Sequence, residues 1–288
     1  MKFKLLVIIF LIAFSFSALS GVNVGILAKR GGVQCMQQWG DLGKYLTTQI
    51  GTDVRIVPLA FVEVDSAIST KKIDFLLTNS SMFANMNTKY GLSPVATMIN
   101  TANGKAVKEF GGVIISKAGS SIKTISDIKS KSFMCVKKSS FGGCQMAWRE
   151  MLAKGVDIEK DVKFSEGQKH DNVALAVKAG TVDAGTVRTD TLERMQDEGT
   201  IKISEFTIIN EQKDSFPFVR STKLYPEWPI AALGHADKEI VKKITAALLA
   251  LKKDDPAAKN AQIVGWSAPL DYAPVNDLLK EIKYNISE

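Results

Sequence analysis

The chain has 288 residues, 45 % of them hydrophobic and 23 % charged, which is apolar material enough for two domains with cores of their own and excludes an intrinsically disordered chain. Basic residues outnumber acidic ones, 37 to 30, but without a run of five or six like charges, so the surplus is not gathered on a nucleic-acid-binding face. Three cysteines, Cys35, Cys135 and Cys144, are too few for a disulfide-stapled fold, and an odd count leaves at least one thiol free or intermolecular.

The first twenty residues read as a secretory signal peptide. Lys2 and Lys4 supply the charge, and an apolar stretch covers 5–16, shorter than the ~20 residues of a bilayer span. Ala18-Leu19-Ser20 then forms a small-x-small cleavage site before Gly21. No cysteine stands there, so a lipid anchor is not expected, and the mature protein should be soluble in the periplasm. Its mild positive surplus favours an anionic ligand.

From Gly21 onward strand and helix alternate. Residues 22–28 form a short apolar strand, after which Met36, Trp39, Leu42, Leu46 and Ile50 recur every three or four residues as a helix face. Strands follow at 54–59 and 73–78, separated by a helix marked by Val64, Ala67 and Ile68; Asn79-Ser80-Ser81 starts the next helix. The alternation resumes with a strand at 112–116, a capped helix at 124–129 and a strand at 133–136. Ser139-Ser140-Phe141-Gly142-Gly143 leads into a helix through Lys154. Strands at 162–164 and 182–187 and helices at 171–179 and 191–198 come next. Two helix faces close the chain, one with Ile240, Ile244, Ala247, Leu248 and Leu251, the other with Val275, Leu278, Leu279 and Ile282. This order predicts an α/β fold of parallel βαβ units. An internal echo supports two similar lobes: residues 68–79 and 177–188 both run from a helix end through Ile/Val-Asp into a strand and a polar turn. The alternative is a chance likeness between two ordinary αβ units.

Five turns after strands are rich in donors: Lys29-Arg30-Gly31-Gly32, Asn79-Ser80-Ser81, the segment Ser139 to Gly143, Gln168-Lys169-His170-Asp171, and Thr186 to Asp190 with Arg188 and Thr189. Free N–H groups at helix starts, hydroxyls and cationic side chains suit a tetrahedral oxyanion, and ligands of open α/β sheets sit at this edge. Gly142 and Gly143 would admit an anion close to the backbone. Each residue also has a plain role. Asn79, Ser80 and Thr189 suit helix caps, His170 a turn, Arg188 a surface pair with Asp190 or Glu193, and His235 a loop. No Gly-Lys-Ser/Thr closes the 139–143 turn into a nucleotide loop. Cys135 suits a buried strand position, whereas Cys144 opens a helix where the dipole would lower a thiol pKa, and Cys35 lies near the start of the first helix. Cys35 and Cys144 could meet across a cleft, or be inert.

The chain resembles the phosphonate-type (phosphate/phosphite/phosphonate) periplasmic binding proteins. The resemblance rests on Gly25-Ile26-Leu27-Ala28, Ile73-Asp74-Phe75-Leu76-Leu77-Thr78-Asn79, residues 110–114 and 124–131, the 139–143 turn, His170-Asp171 and Val182-Asp183-Ala184-Gly185-Thr186. Residues 185–194, 216–222, 224–229 and 265–272 are similar to the sensor regions of tetrathionate-type histidine kinases. The resemblance implies a type II periplasmic binding protein, two α/β lobes with a hinge and a ligand cleft between them. Residues 1–20 are then the signal peptide, 21–110 the first part of lobe 1, 111–214 lobe 2, and 215–288 the crossover and return to lobe 1. It also implies that Ser139, Ser140 and His170 match the anion-binding turn and histidine, and Asn79 and Ser80 the first-lobe turn. Arg188-Thr189 stands where transport-type phosphonate binders hold a ligand amine with acidic residues, which points to a fully anionic ligand.

The expected function is capture of a small oxyanion and its presentation to a membrane sensor kinase or ABC permease. The expected ligand contacts are Lys29, Arg30, Cys35, Asn79, Ser80, Ser139, Ser140, Phe141, Gly142, Gly143, Cys144, His170, Arg188 and Thr189. The expected form is a monomer without cofactor, metal or nucleic acid, and not an enzyme. Phosphonate, phosphite or phosphate uptake is the alternative, and a thiol enzyme using Cys144 with His170 as base is a third reading.

Overall fold

A computed structural model describes residues 21–102 and 105–284. The signal peptide expected over 1–20 lies outside them. In the first lobe β1 (Val22–Leu27) leads to α1 (Gly32–Ile50), β2 (Val54–Leu59), α2 (Val64–Ser69), β3 (Phe75–Leu77), α3 (Ser80–Tyr90), β4 (Ser93–Ala102) and β5 (Lys105–Val107). A short β6 (Glu109–Phe110) carries the chain into the second lobe. There β7 (Gly112–Lys117), β8 (Ser132–Cys135), a π-helical turn Phe141–Gln145, α4 (Met146–Ala153), β9 (Lys163–Glu166), α5 (His170–Ala179), β10 (Ala184–Arg188), α6 (Thr191–Asp197) and β11 (Phe206–Ile209) follow. The chain returns through β12 (Tyr225–Pro226) to β13 (Pro229–Ala232), α7 (Lys238–Ala250), α8 (Pro256–Ala261), β14 (Ile263–Ser267) and α9 (Ala273–Glu281).

The first sheet runs β14-β4-β13-β3-β1-β2, with β5 as a hairpin on β4; the second runs β11-β7-β10-β8-β9. β1 pairs in parallel with both β2 and β3, as the alternation requires, but β13 enters antiparallel between β3 and β4 after its excursion through the other lobe. The crossovers β6 and β12 pair with each other, Tyr225 opposite Phe110, so both connections between the lobes form one two-stranded strap. Val113, Ile115, Val173, Val177, Val187, Leu192 and Met195 form a core of their own within the second lobe.

The internal echo is structural. Asp74 follows α2 and precedes β3, and its Oδ2 accepts from the backbone N–H of Asn23 on neighbouring β1 at 2.7 Å. Asp183 stands likewise before β10, and its Oδ2 accepts from the N–H of Ser132 on neighbouring β8 at 2.9 Å. In both lobes this carboxylate staples the central strand to its parallel partner, and the chain then emerges at the cleft edge.

Several local expectations needed revision. Met36 faces solvent; the buried face of α1 runs through Cys35, Trp39, Leu42, Leu46 and Ile50, a cleaner three-four spacing. The helix expected at 124–129 shrinks to a single 3₁₀ turn, Ser126–Ile128. Oδ2 of Asp127 accepts from the N–H groups of Lys123 and Thr124 and from the Thr124 hydroxyl, which closes a tight local turn instead. Asn79 does cap α3, accepting from the N–H of Met82 at 3.0 Å.

Cys144 is not a thiol: it forms a disulfide with Cys135, joining the end of β8 to the π-helical turn, and both residues are fully buried. The bridge closes the short loop that contains Ser139 and Ser140, so it constrains the unfolded chain modestly. Replacing both residues by alanine should lower unfolding free energy by about 2–3 kcal/mol in urea denaturation, with the wild type falling to the same value when fully reduced.

Candidate functional site

The lobes meet around Arg188, the last residue of β10, which is almost wholly buried. Its Nη2 donates to Oε1 of Glu227 at 2.5 Å, its Nε donates to the carbonyl of Thr189 at 3.1 Å, and Nε lies 3.5 Å from Oδ1 of Asp190. The guanidinium stacks 4.4 Å from the centroid of Phe110 on the crossover and 5.8 Å from Trp228. Asp190 starts α6 in the left-handed conformation, φ 77°, which a short polar side chain tolerates. Its carboxylate also meets Lys29 of the first lobe at 3.6 Å and Arg194 at 3.4 Å, and accepts from Asn100 Nδ2 at 3.1 Å.

Three cations, Lys29, Arg188 and Arg194, thus share two carboxylates, Asp190 and Glu227. Burial alone would raise the Asp190 carboxyl, but Arg188, Lys29 and Arg194 outweigh it and hold the group well below the usual carboxylate range. Lys29 goes the other way: burial, helped by Arg188, lowers its ammonium to about 7 against the pull of Asp190. His170 is buried beside these cations; desolvation and then Lys29 and Arg188 keep it neutral, well below its ordinary value. Its Nδ1 accepts the backbone N–H of Arg188 at 3.2 Å, so the ring proton resides on Nε2.

A cavity of about 20 Å³, room for one water, opens among Lys29, Cys35, Asn100, Arg188, Arg194 and Trp228. On the residues that line it, Nη1 of Arg188 and Nε1 of Trp228 are buried donors without a partner, as is Nε of Arg194 apart from its longer contact with Asp190. A second small space joins Lys29, Arg30, His170 and Asp190. Arg30 itself is engaged elsewhere. Its guanidinium donates to Asp171 at 2.7 Å and to both oxygens of Glu198 at 2.9 Å, fastening the first lobe to α5 and α6 of the second. These two acids hold the Arg30 guanidinium above its ordinary value.

Of the residues singled out from the sequence, Lys29, Arg30, Cys35 and Arg188 line one cavity, with His170 in the adjoining space. Others serve the frame. Ser80 donates to the carbonyl of Pro226 at 2.6 Å, and Thr189 exchanges bonds with Gly111, so both tie their lobes to the crossovers. Ser139 lines a separate interlobe groove with Phe61 and Trp148, and Ser140 is buried in the turn. Phe141 packs edge-on against Phe110 and Tyr225. Gly142 and Gly143 serve close packing of the protein on itself. A Cβ on Gly142 would meet Arg188 and Phe110 at 2.7 and 2.9 Å, and one on Gly143 would meet Val136 and Ser140 at 2.6 and 2.7 Å. Arg188 is no surface residue, and Cys144, being oxidised, can act neither as nucleophile nor as a partner for Cys35.

Asn100, Asp190, Arg194, Glu227 and Trp228 were missed as site residues. Glu227-Trp228 lies inside the 224–229 segment, singled out above only for its likeness to sensor-kinase regions; the signal is a carboxylate next to an aromatic in a stretch otherwise apolar. Among the described residues no group of three or more histidine, cysteine or acidic side chains is placed to hold a metal, and no helix is long and apolar enough to cross a membrane.

Comparison with known proteins accounts for the architecture. The family model described as ABC transporter, phosphonate, periplasmic substrate-binding protein matches residues 24–273. The tetrathionate sensor histidine kinase TtrS of Salmonella typhimurium is 29 % identical over 265 residues, covering 91 % of this chain; the chain spans less than half, 43 %, of that relative. Two solved structures share the fold. PhnD1 of Prochlorococcus marinus in complex with methylphosphonate has a TM-score of 0.73 at 15 % identity, covering 91 % of this chain and 98 % of that one. A binding-protein component of an ABC phosphonate transporter from Pseudomonas aeruginosa scores 0.77 at 19 % identity, covering 91 % and 86 %. With two α/β lobes joined by a paired strap and a family model spanning nearly all the described residues, this chain belongs to the phosphonate-type periplasmic substrate-binding protein family.

Proposed function

We propose that this protein captures a small oxyanion between its lobes in the periplasm and presents it to a membrane partner, a sensor kinase or an ABC permease. The observation that carries the proposal is the unbalanced buried cluster: three cations share two carboxylates, and donors of Arg188 and Trp228 beside them lack partners. An anion in contact with Lys29 would neutralise the surplus and satisfy those donors, which a neutral ligand would not. The fit to the sensor kinase over most of the chain supports a sensing role. The match to a transporter's binding component supports uptake of phosphonate, phosphite or phosphate as the second reading. The cavity holds little more than one water with the lobes as they stand, so an oxyanion enters by parting them, and the strap of β6 and β12 is the connection left to flex.

A thermal-shift panel of phosphate, phosphite, methylphosphonate, sulfate, thiosulfate, tetrathionate, arsenite and arsenate tests capture. A hundredfold excess over Kd stabilises by about 2.7 kcal/mol, which should raise Tm by about 5 °C or more. A panel without any shift would refute oxyanion capture. Lys29→Met should weaken the best anion by about 10- to 100-fold in calorimetric titration while Tm stays within a few degrees, because Asp190 keeps Arg188 and Arg194.

Arg30→Ala should weaken every anion by one common factor, about 3- to 10-fold, since the clasp to Asp171 and Glu198 stabilises the closed form without reaching the ligand. A change in the ratio between two anions would instead make Arg30 a ligand contact.

Binding should also depend on pH. Lys29, lowered to about 7 by burial and Arg188, would be raised by a bound anion, so binding takes up a proton above that pH. Affinity should therefore be full below about pH 6.5 and fall as pH rises through 7 to 8, by up to about tenfold per unit. In Lys29→Met this fall should vanish; a wild-type affinity flat between pH 6 and 8.5 would contradict the assignment.

A further inference from the structure

The cavity beside Lys29 offers a ligand more than donors. Nη1 of Arg188 and Nε1 of Trp228 are buried there without a partner. Among the described residues that line the cavity, one side-chain acceptor is in the same position, Oδ1 of Asp190. Nε of Arg188 lies 3.5 Å from that oxygen but donates to the carbonyl of Thr189 instead. All three residues are more than nine-tenths buried. The neutral amides nearby are engaged or open to water: Asn100 donates to Asp190 and Glu227, Gln38 donates to the carbonyl of Ala261, and Gln34 is exposed.

An ionised carboxylate accepts hydrogen bonds and donates none. Burial alone would raise the carboxyl of Asp190, but Arg188, Lys29 and Arg194 outweigh it and keep the group ionised at neutral pH. An oxyanion stripped of every proton would set its own oxygen against Oδ1, dehydrated and unpaired. One that keeps an O–H can donate to Oδ1 instead. Charge points the same way. Lys29, Arg188 and Arg194 exceed Asp190 and Glu227 by one, and the groups around them do not enlarge that surplus. Arg30 is matched by Asp171 and Glu198 in a partly exposed clasp, and burial, with Lys29 and Arg188, keeps His170 neutral. Glu193, one turn along α6 from Asp190, is an acid and can only reduce it. A single negative charge therefore balances the cluster, whereas a second would be buried without a counterion.

Resting on the anion-capture reading above, we propose that the ligand is bound as a singly charged oxyanion that keeps one acidic proton, and that Asp190 selects for that proton by accepting it in a hydrogen bond. The proton stays on the ligand, which donates through one oxygen and accepts from Arg188, Trp228 and Lys29 through the others. Selection is by charge and protonation, not by the element at the centre.

Methylphosphonate below its second ionisation and methanesulfonate have the same charge and nearly the same shape, and differ in one proton. Phosphate and sulfate repeat the comparison without the methyl group. Calorimetric titration at pH 6 should show the proton-bearing member of each pair bound at least about tenfold more tightly by the wild type. Asp190→Asn, whose side chain also tolerates the left-handed backbone at this position, should bring each pair within about threefold. A second measurement needs no variant. At pH 9 methylphosphonate and phosphate are dianions in free solution, and titration of the tighter one in two buffers of different ionisation enthalpy should count about two protons taken up per ligand, one by Lys29 and one by the ligand. The fall in affinity that belongs to Lys29 vanishes in Lys29→Met, but the fall that belongs to the ligand's own proton remains. Equal affinities within the wild-type pairs, a preference that survives Asp190→Asn, or an uptake of about one proton or less would overturn the proposal and leave capture standing. No heat from any of the four anions would defeat capture and selection together.

Discussion

The ion pair between Arg188 and Glu227 joins the end of a central strand in the second lobe to the segment through which the chain returns to the first. Taking two charges out of water costs several kcal/mol each, and the pair recovers part of this through the groups packed around it. Glu227 accepts from Asn100 as well, Asp190 stands on the other edge of the guanidinium, and Phe110 covers its face. Removing Arg188 would leave the buried Glu227 carboxylate without its cation and Asp190 with only Lys29 and Arg194, a loss of about 3–5 kcal/mol. This side chain is therefore part of the frame before it is part of a binding site, and a substitution there tests both at once. Lys29, which comes from the other lobe and is not paired with Glu227, separates the two roles.

The cluster belongs to neither lobe alone. Arg188, Asp190 and Arg194 come from the β10–α6 turn and α6, Lys29 from the β1–α1 turn, Asn100 from β4, and Glu227 from the return crossover. Were the lobes to part, Lys29 and Asn100 would leave Asp190, and water would replace them. Closure therefore dehydrates like charges as well as unlike ones, which is why the ammonium of Lys29 sits so far below its ordinary value. The Arg30 clasp to Asp171 and Glu198 is a second tie between the lobes, and being partly exposed it contributes modestly and is weakened by salt.

The fold was largely legible from the chain, and the reasons are local. β1, α1 and α5 announce themselves because apolar spacing and burial coincide there. β4, β13 and β14 did not: they form the antiparallel part of the first sheet, and what makes β13 a central strand is its insertion between β3 and β4 after the chain has passed through the whole second lobe. The site was legible only as a set of turns. Donor-rich loops could be found by residue type, but Asn100 and Glu227 act through contacts made across 90 and 127 residues, for which no local pattern exists. The cysteines failed for a similar reason. Parity required one unpaired thiol among three, yet the pairing of Cys135 with Cys144 depends on a π-helical turn bringing them together, and that turn has no spacing signature.

The two lobes share a plan but not a charge pattern, and the difference bears on function. Asp74 and Asp183 staple their central strands in the same way. Past those strands the first lobe presents Asn79 and Ser80, neutral groups engaged in capping α3 and holding the crossover, while the second presents Arg188 and Asp190. A cleft built from two copies of the first turn would offer hydrogen bonds without charge; two copies of the second would bury like charges against each other. The asymmetric pair avoids both, leaving the first lobe to supply its single buried cation from the other turn, at Lys29. Discrimination among anions of equal charge must then come from the surface next to that cation, where the first lobe contributes the amides of Gln34, Gln38 and Asn100 together with Cys35, Trp39 and Met98.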